Sequence, residues 1–273
     1  MALSEQPNSP SIASKLKGPL ISDLIKYLIV LAAVTWLMIN GTQQLGYHWQ
    51  WYRVPQYIFS MADNRPAPGP LIQGLLITIR ITAISLVLAF VFGLTAALMR
   101  LSRSLLARII ARGYLETVRN TPLLVQLFFI YFVVSPVVGF RGFTSAVLAL
   151  SLFEGAYASE IFRAGIISIK RGQWEAAHSI GLNTYQTYRL IILPQALRRI
   201  LPPLTSQAVS LIKDSALVST IAIYDLTMQG QRIIAETFLV FEIWFTVAAI
   251  YLTMTLVLSA TVFVMEKRLK LEP

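Results

Sequence analysis

Six long apolar segments run through this chain, and they constrain its fold more than any other feature of the sequence. A helix that crosses a membrane needs about 20 mostly apolar residues. Transmembrane β-strands, by contrast, alternate in polarity over about 10 residues. The sequence therefore predicts an all-α membrane protein with about six transmembrane helices. The predicted spans are approximately Leu24–Ile39, Leu71–Leu98, Tyr114–Val138, Phe143–Ile169, Leu201–Ile223 and Phe241–Met265.

Composition argues against a soluble protein. Of the 273 residues, 56% are hydrophobic and only 13% are charged, whereas soluble domains carry about 25% charged residues. Too few polar side chains are available to cover a water-facing surface of this size. Cysteine is absent, and the two histidines, His48 and His178, lie far apart in the sequence. We therefore expect no disulfide, no metal site and no cofactor held by this chain.

The basic residues alternate between the two sides of the predicted membrane protein. Most lie in the two tails and in the connections after the second and fourth spans. The other connections hold only Arg53, Arg65, Arg141 and Arg232. Because cytoplasmic loops are enriched in Lys and Arg, both termini of this multi-pass protein are predicted to be cytoplasmic. This placement also explains the net charge of +10 without a nucleic-acid partner.

The spans and loops divide the chain into four predicted parts. Residues 1–22 form a cytoplasmic tail, and residues 23–70 form one transmembrane helix with a periplasmic loop. Residues 71–266 form the main bundle, and residues 267–273 form a second cytoplasmic tail. Within the bundle, residues 170–200 make a cytoplasmic loop between the fourth and fifth spans.

This loop has the pattern of a folded element. Gln173–Ile180 suits a short helix, and Gly181 provides the left-handed backbone with which many helices end. Two short helices that meet at this glycine are predicted to form a compact knob.

The second helix of the knob has its own boundary signals. Asn183 or Thr184 can cap its first turn, and Pro194 is expected to end it, since the residue before a proline disfavours the helical conformation. Trp174 and His178 are predicted to lie near the tip of this protruding knob.

The loop also resembles the EAA motif of ABC importer permeases. Its spacing is Glu-Ala-Ala, three residues, Gly, nine residues, Ile, one residue, Leu-Pro. The residues that match it are Glu175, Ala176, Ala177, Gly181, Ile191, Leu193 and Pro194.

Further segments narrow the resemblance to polar amino-acid permeases, which carry histidine, arginine, glutamine, glutamate or cystine. The similar segments are residues 119–126, 157–165, 171–173 and 211–219. The resemblance covers about residues 70–270. It implies the ABC type I importer permease architecture, with a five-helix core and one extra N-terminal helix, in the bacterial inner membrane.

The resemblance implies partners and a mechanism. Two cytoplasmic ATP-binding subunits would receive the coupling helices, at about residues 172–181. ATP and Mg would be bound by those partners, because this chain has no Walker-type phosphate loop, and the chain itself would be no enzyme. A second copy or a homologous permease would complete the pathway, and an extracytoplasmic amino-acid-binding protein would deliver substrate. The predicted coupling residues are Gln173, Trp174, Glu175, Ala176, Ala177, His178 and Gly181.

Polar residues inside the spans are candidates for the substrate pathway, because charges in lipid usually face a cavity or a partner. Arg80 could face the pathway or extend to the lipid head groups. Glu160 can pair with Arg163 three residues away, whereas Glu154 has no local partner and is the better candidate ligand. The predicted pathway residues are Thr78, Arg80, Thr82, Glu154, Glu160, Gln207, Ser210 and Asp214.

The stripe formed by Gln207, Ser210 and Asp214 covers an arc of about 60° on its helix. It could line the pathway, or it could be a hydrogen-bonded contact between helices. In the first case the carboxylates could hold the α-amino group of a substrate and Arg80 its α-carboxylate.

Three other classes of function are open to a membrane protein of this kind. An ABC permease for a metal or a sugar would have the same fold. A membrane-embedded enzyme is disfavoured, because the spans contain no histidine and no metal or nucleophile motif. A channel or a secondary transporter would work without ATPases, and the internal repeats typical of many transporters are not evident in this sequence.

Overall fold

The computed structural model describes residues 12–44, 46–62 and 65–268, and the chain divides into two units, residues 1–50 and 51–273. The described part is mostly helical. This observation confirms the all-α fold class.

The first unit contains one long helix, α1 (Ile12–Gln44). It includes the predicted first span and begins inside the predicted cytoplasmic tail, whose residues 1–11 lie outside the described part. Large apolar side chains along it, such as Leu24 and Trp36, are more than half exposed. Such exposure is typical of a helix that faces lipid.

The second unit holds the other described elements. A short 3-10 turn, Trp51–Arg53, and α2 (Pro55–Ile58) precede an antiparallel hairpin of β1 (Phe59–Ala62) and β2 (Arg65–Pro68). The helices that follow are α3 (Pro70–Leu101), α4 (Leu105–Arg119), α5 (Leu123–Phe128), a π-helical turn (Phe129–Val134), α6 (Ser135–Val138), α7 (Gly142–Ile167), α8 (Arg171–Ser179), α9 (Thr184–Thr187), a π-helical turn (Tyr188–Ile192), α10 (Leu193–Asp214), a 3-10 turn (Ser215–Ile221), α11 (Leu226–Thr237) and α12 (Val240–Arg268). Residues 269–273 of the predicted C-terminal tail lie outside the described part.

Four described helices are long and apolar enough to cross a membrane by themselves: Ser22–Gly41 within α1, then α3, α7, and Val240–Val264 within α12. These four match predicted spans closely. The bent pair formed by α4 and Leu123–Val138 could provide a fifth. The predicted span Leu201–Ile223 is occupied by α10 and the following 3-10 turn, and it is not among the described helices that are long and apolar enough to cross a membrane.

The predicted third span, Tyr114–Val138, is not a straight helix. Its two halves meet at an angle of 108°, because Pro122 disfavours helical backbone at Thr121 and itself adopts an extended conformation. The Gln126 side chain fixes the bend by donating hydrogen bonds to the carbonyl oxygens of Val118 (2.7 Å) and Thr121 (3.0 Å).

Pro194 does not end a helix, contrary to the prediction. Helical backbone continues from Thr184 through α10, because the π-helical turn before Pro194 widens the helix. In that turn the Leu193 amide bonds to the Tyr188 carbonyl, five residues back. We attribute the tolerance of this proline to that turn, since a π-helical turn relieves the clash between a proline ring and the preceding turn.

Helices α3 and α7 form the central pair of the second unit, and small residues allow their close approach. A Cβ atom at Gly93 would lie 2.7 Å from the Ala158 Cβ and 2.9 Å from the Gly155 carbonyl oxygen. A Cβ atom at Gly155 would in turn lie 2.9 Å from the Phe92 Cβ. All three distances are shorter than a Cβ atom normally keeps from another heavy atom, so glycine is required at this crossing.

We expect Gly93→Ala to destabilise the protein by about 1–3 kcal/mol, because the added methyl group forces two packed helices apart. Gly113→Ala is the matched control. Gly113 also lies in a helix, but a Cβ atom there would meet nothing within 4 Å, so the change should be neutral or stabilising by up to about 1 kcal/mol. Thermal unfolding in nanodiscs measures both variants, and equal unfolding temperatures would contradict the proposed close crossing.

Candidate functional site

The predicted knob is a folded element built around α8. At its end the Gly181 amide bonds to the His178 carbonyl (3.0 Å) and the Leu182 amide bonds to the Ala177 carbonyl (3.1 Å). Gly181 has φ +82°, in the left-handed region. These two bonds form a Schellman motif, the helix ending that glycine favours, so the predicted helix stop at Gly181 is confirmed.

The second helix of the knob begins at a capping box. The Asn183 side chain accepts from the Gln186 amide (2.9 Å), and the Gln186 side chain accepts from the Asn183 amide (3.0 Å). Of the two predicted caps, Asn183 is therefore the one used. The glycine turn and the capping box together give the knob a defined shape.

The knob has an inner face and an outer face. Trp174 is half-buried and packs edge-on against Tyr188, with ring centroids 5.0 Å apart, and Ala177 is buried beside it. The aromatic ring of Trp174 is thus held against the π-helical turn, on the inner face of the knob. The residues that face outward are Gln173, Glu175, Ala176, His178 and Gly181.

Two further contacts hold the knob. The Gln173 side chain accepts from the Gln195 side chain (3.1 Å), which ties α8 to α10. On the exposed side Arg171 pairs with Glu175 at 2.9 Å, one helical turn apart. The outer face of α8 thus combines a charged pair with the small side chain of Ala176.

Inside the bundle, the predicted residue Glu154 meets the predicted stripe on α10. Glu154 is 1% exposed and accepts a short hydrogen bond from the Gln207 side chain. Asp214, on the same face of α10 as Gln207, is close enough to interact electrostatically with Glu154. The Glu154 Oε1 atom is buried and accepts no hydrogen bond from the described residues. Two neighbouring carboxyl groups with an unsatisfied oxygen favour a cation or a proton between them.

An apolar cavity opens beside Glu154, between α3, α7 and α10. Its volume is about 220 Å³. Besides Glu154 and Gln207, its wall is formed mainly by apolar side chains, such as Phe90 and Leu204. Glu154 is the only carboxylate among the described residues that line the cavity, and the apolar groups around it strengthen its interaction with a cationic group.

The other predicted pathway residues are more dispersed. Thr78 is buried and accepts a hydrogen bond from the Leu226 amide (3.1 Å), so it joins α3 to α11. Thr82 is also buried, and its hydroxyl group has no partner among the described residues. Arg80 is exposed on the opposite side of α3, away from Glu154. Ser210 is half-buried on α10.

Glu160 belongs to a different group of side chains from Glu154. It pairs with Arg163 at 3.0 Å, as predicted, and also with Arg100 at 2.6 Å and Arg119 at 3.1 Å. We call these four residues the Glu160 cluster. Neither Arg100 nor Arg119 could be assigned to it from sequence, because they lie 60 and 41 residues away.

One buried carboxylate and the helix that it begins were not predicted. Asp225 accepts a hydrogen bond from the Met228 amide (2.8 Å) and so caps α11. Burial raises the pKa of Asp225 to about 6. The sequence signal for this cap is an Asp immediately before Leu226–Thr237, a pattern typical of helix starts.

The chain is similar to known proteins in both sequence and structure. Residues 89–271 match the family described as "binding-protein-dependent transport system inner membrane component". The glutamine transport system permease protein GlnP of Escherichia coli K12 is 41% identical over 76% of this chain and 95% of its own length. The L-cystine transport system permease protein TcyB of Bacillus subtilis 168 is 40% identical over 72% of this chain and 85% of its own length. A chain from the crystal structure of an amino acid ABC transporter with histidines is 39% identical, with a TM-score of 0.69, over 73% of this chain and 94% of its own length.

Proposed function

This chain belongs to the family of binding-protein-dependent transport system inner membrane components, and from that premise we propose that it is the permease subunit of an ABC importer for polar amino acids. Its fold is that of a type I importer permease, as the sequence predicted. The amino-acid substrate is supported by relatives with about 40% identity that carry glutamine and cystine.

We assign the coupling role to the knob. The outward residues of α8 would dock in a cleft of a cytoplasmic ATPase, while Trp174 and Ala177 would transmit its movement to α10. The rigid Schellman turn and the Trp174–Tyr188 contact support this role, because a flexible loop could not transmit force. The orientation of the permease in the membrane follows from the excess of Lys and Arg in alternate loops, which places the knob in the cytoplasm.

We propose that two carboxyl groups, those of Glu154 and Asp214, bind the cationic group of the substrate, and we call them the carboxyl pair. Glu154 and Asp214 would hold the α-amino group or a basic side chain, and Gln207 would keep the Glu154 carboxylate in position. The unsatisfied Oε1 atom of Glu154 is the single observation that best supports a ligand here, because buried polar atoms in proteins are rarely left without a partner. Arg80 is not assigned to the carboxylate of the same ligand, since it lies on the opposite side of α3.

The proposed partners are two ATP-binding subunits, a second copy of this chain or a homologous permease, and an extracytoplasmic amino-acid-binding protein. Reconstitution in proteoliposomes tests the assembly. With all partners and ATP we expect uptake of a polar amino acid from a panel of glutamine, cystine, histidine, arginine and glutamate.

Omitting the ATPase is the control, and it should abolish uptake. Uptake that continues without the ATPase would contradict the ABC mechanism. If none of these amino acids is taken up but another solute is, the permease assignment stands and the substrate class is wrong.

A further inference from the structure

The Glu160 cluster brings three arginines from three helices around one carboxylate. Arg100 comes from the last turn of α3, Arg119 from the last turn of α4 and Arg163 from α7. All three contact Glu160 within 3.2 Å. The Arg119 guanidinium also lies 5.7 Å from the centre of the Tyr157 ring.

The cluster carries more positive than negative charge. Three guanidinium groups face a single carboxylate, which leaves two excess positive charges. The C-terminal ends of α3 and α4 offset about one of these, because each helix end carries roughly half a negative charge. Glu116, the acidic residue on α4, is hydrogen-bonded to Asn120 instead (3.0 Å).

The arginines also retain hydrogen-bonding capacity. Each guanidinium has five N–H groups, and only four hydrogen bonds from the three side chains to Glu160 are formed. The side chains are between 19% and 44% exposed, so an external group can reach them. Guanidinium groups arranged in this way fit an anion with several acceptor oxygens.

We propose that the Glu160 cluster binds a phosphate-bearing anion, and that its source is the head group of an anionic phospholipid. Arg100 lies in the last turn of the apolar helix α3, where a membrane helix reaches the head-group layer. Basic pockets between transmembrane helices are typical sites for anionic head groups.

The alternative is a purely structural ion network that joins α3, α4 and α7. The two roles predict different responses to the loss of Glu160. A competing carboxylate weakens the binding of an external anion, so its removal should strengthen binding. In a purely structural network, the same removal only loosens the three helices.

The test measures binding to the purified full chain in neutral-lipid nanodiscs, independently of transport. Phosphatidylglycerol, phosphatidylethanolamine and inorganic phosphate are titrated separately, and thermal unfolding reports binding. We expect stabilisation by phosphatidylglycerol and none by phosphatidylethanolamine. Stabilisation by inorganic phosphate at equal concentration would support the anion site and identify free phosphate as its source.

Three variants separate the cluster from general surface charge. Arg119→Gln should weaken anion binding about tenfold, through the loss of one charged hydrogen-bond donor. The control Arg103→Gln removes an exposed arginine outside the cluster and should leave binding unchanged. Glu160→Gln should strengthen binding.

The proposal is overturned if no anion stabilises the protein, if the two arginine variants weaken binding equally, or if Glu160→Gln weakens binding as much as Arg119→Gln does. Should Glu160→Gln fail to fold, the comparison of the two arginine variants still decides whether the Glu160 cluster binds the anion.

Discussion

Replacing Ala176 with arginine is expected to reduce ATP-driven uptake roughly 30-fold while the permease itself remains folded. Ala176 lies on the outer face of α8, so a longer side chain there meets no part of this chain. In the proposed complex, however, this face is pressed into the ATPase cleft. A steric and charge conflict at the centre of an interface costs about 2 kcal/mol or more, which corresponds to the expected loss.

The measurements are uptake in proteoliposomes, ATPase binding to the purified permease, and thermal unfolding of the permease alone. Ala176→Ser is the matched control, because it changes the chemistry of the site while keeping the side chain small. We expect the serine variant to retain uptake. Normal ATPase binding and uptake by Ala176→Arg would show that the outer face of α8 is not the docking surface.

The apolar spans could be predicted because each depends on its own residues. The bounds of α3 and α7 agree with the prediction to within a few residues, since a lipid-facing helix satisfies its backbone hydrogen bonds internally. The bend at Pro122 could not be predicted in this way, because the mean hydropathy of a long apolar segment does not reveal one residue with extended backbone. The prediction for Pro194 was wrong because a proline usually ends a helix, whereas here the π-helical turn before it accommodates the proline ring.

In the sites, too, contacts between residues close in sequence could be predicted, whereas contacts between distant residues could not. The end of α8 at Gly181 and the Glu160–Arg163 pair follow from short spacing and were predicted correctly. The inward position of Trp174 depends on Tyr188, which is brought there by the turn between two helices. Likewise, the contact between Glu154 and Gln207 joins residues 53 positions apart. Glu154 became a candidate because it has no partner nearby in the sequence, and only the packing of α7 against α10 supplies one.

Glu154→Gln is expected to lower uptake by about 10- to 100-fold, because it removes the buried negative charge proposed to hold the cationic group of the substrate. A hydrogen bond to a charged group contributes about 1.5–3 kcal/mol, which gives this range. Folding should change little, since the glutamine side chain has the same shape and its oxygen can still accept from Gln207. Basal ATP hydrolysis should also persist, because Glu154 lies within α7 and away from the knob.

The control is Glu236→Gln, which removes an exposed carboxylate paired with Arg232 on α11 and should leave uptake unchanged. Uptake is measured against substrate concentration, together with basal and substrate-stimulated ATP hydrolysis. If Glu154→Gln retains the wild-type concentration dependence, the carboxyl pair is not in the substrate site. A loss of stimulated hydrolysis with intact basal hydrolysis would instead place the defect in substrate recognition, because coupling through α8 needs no charge at Glu154.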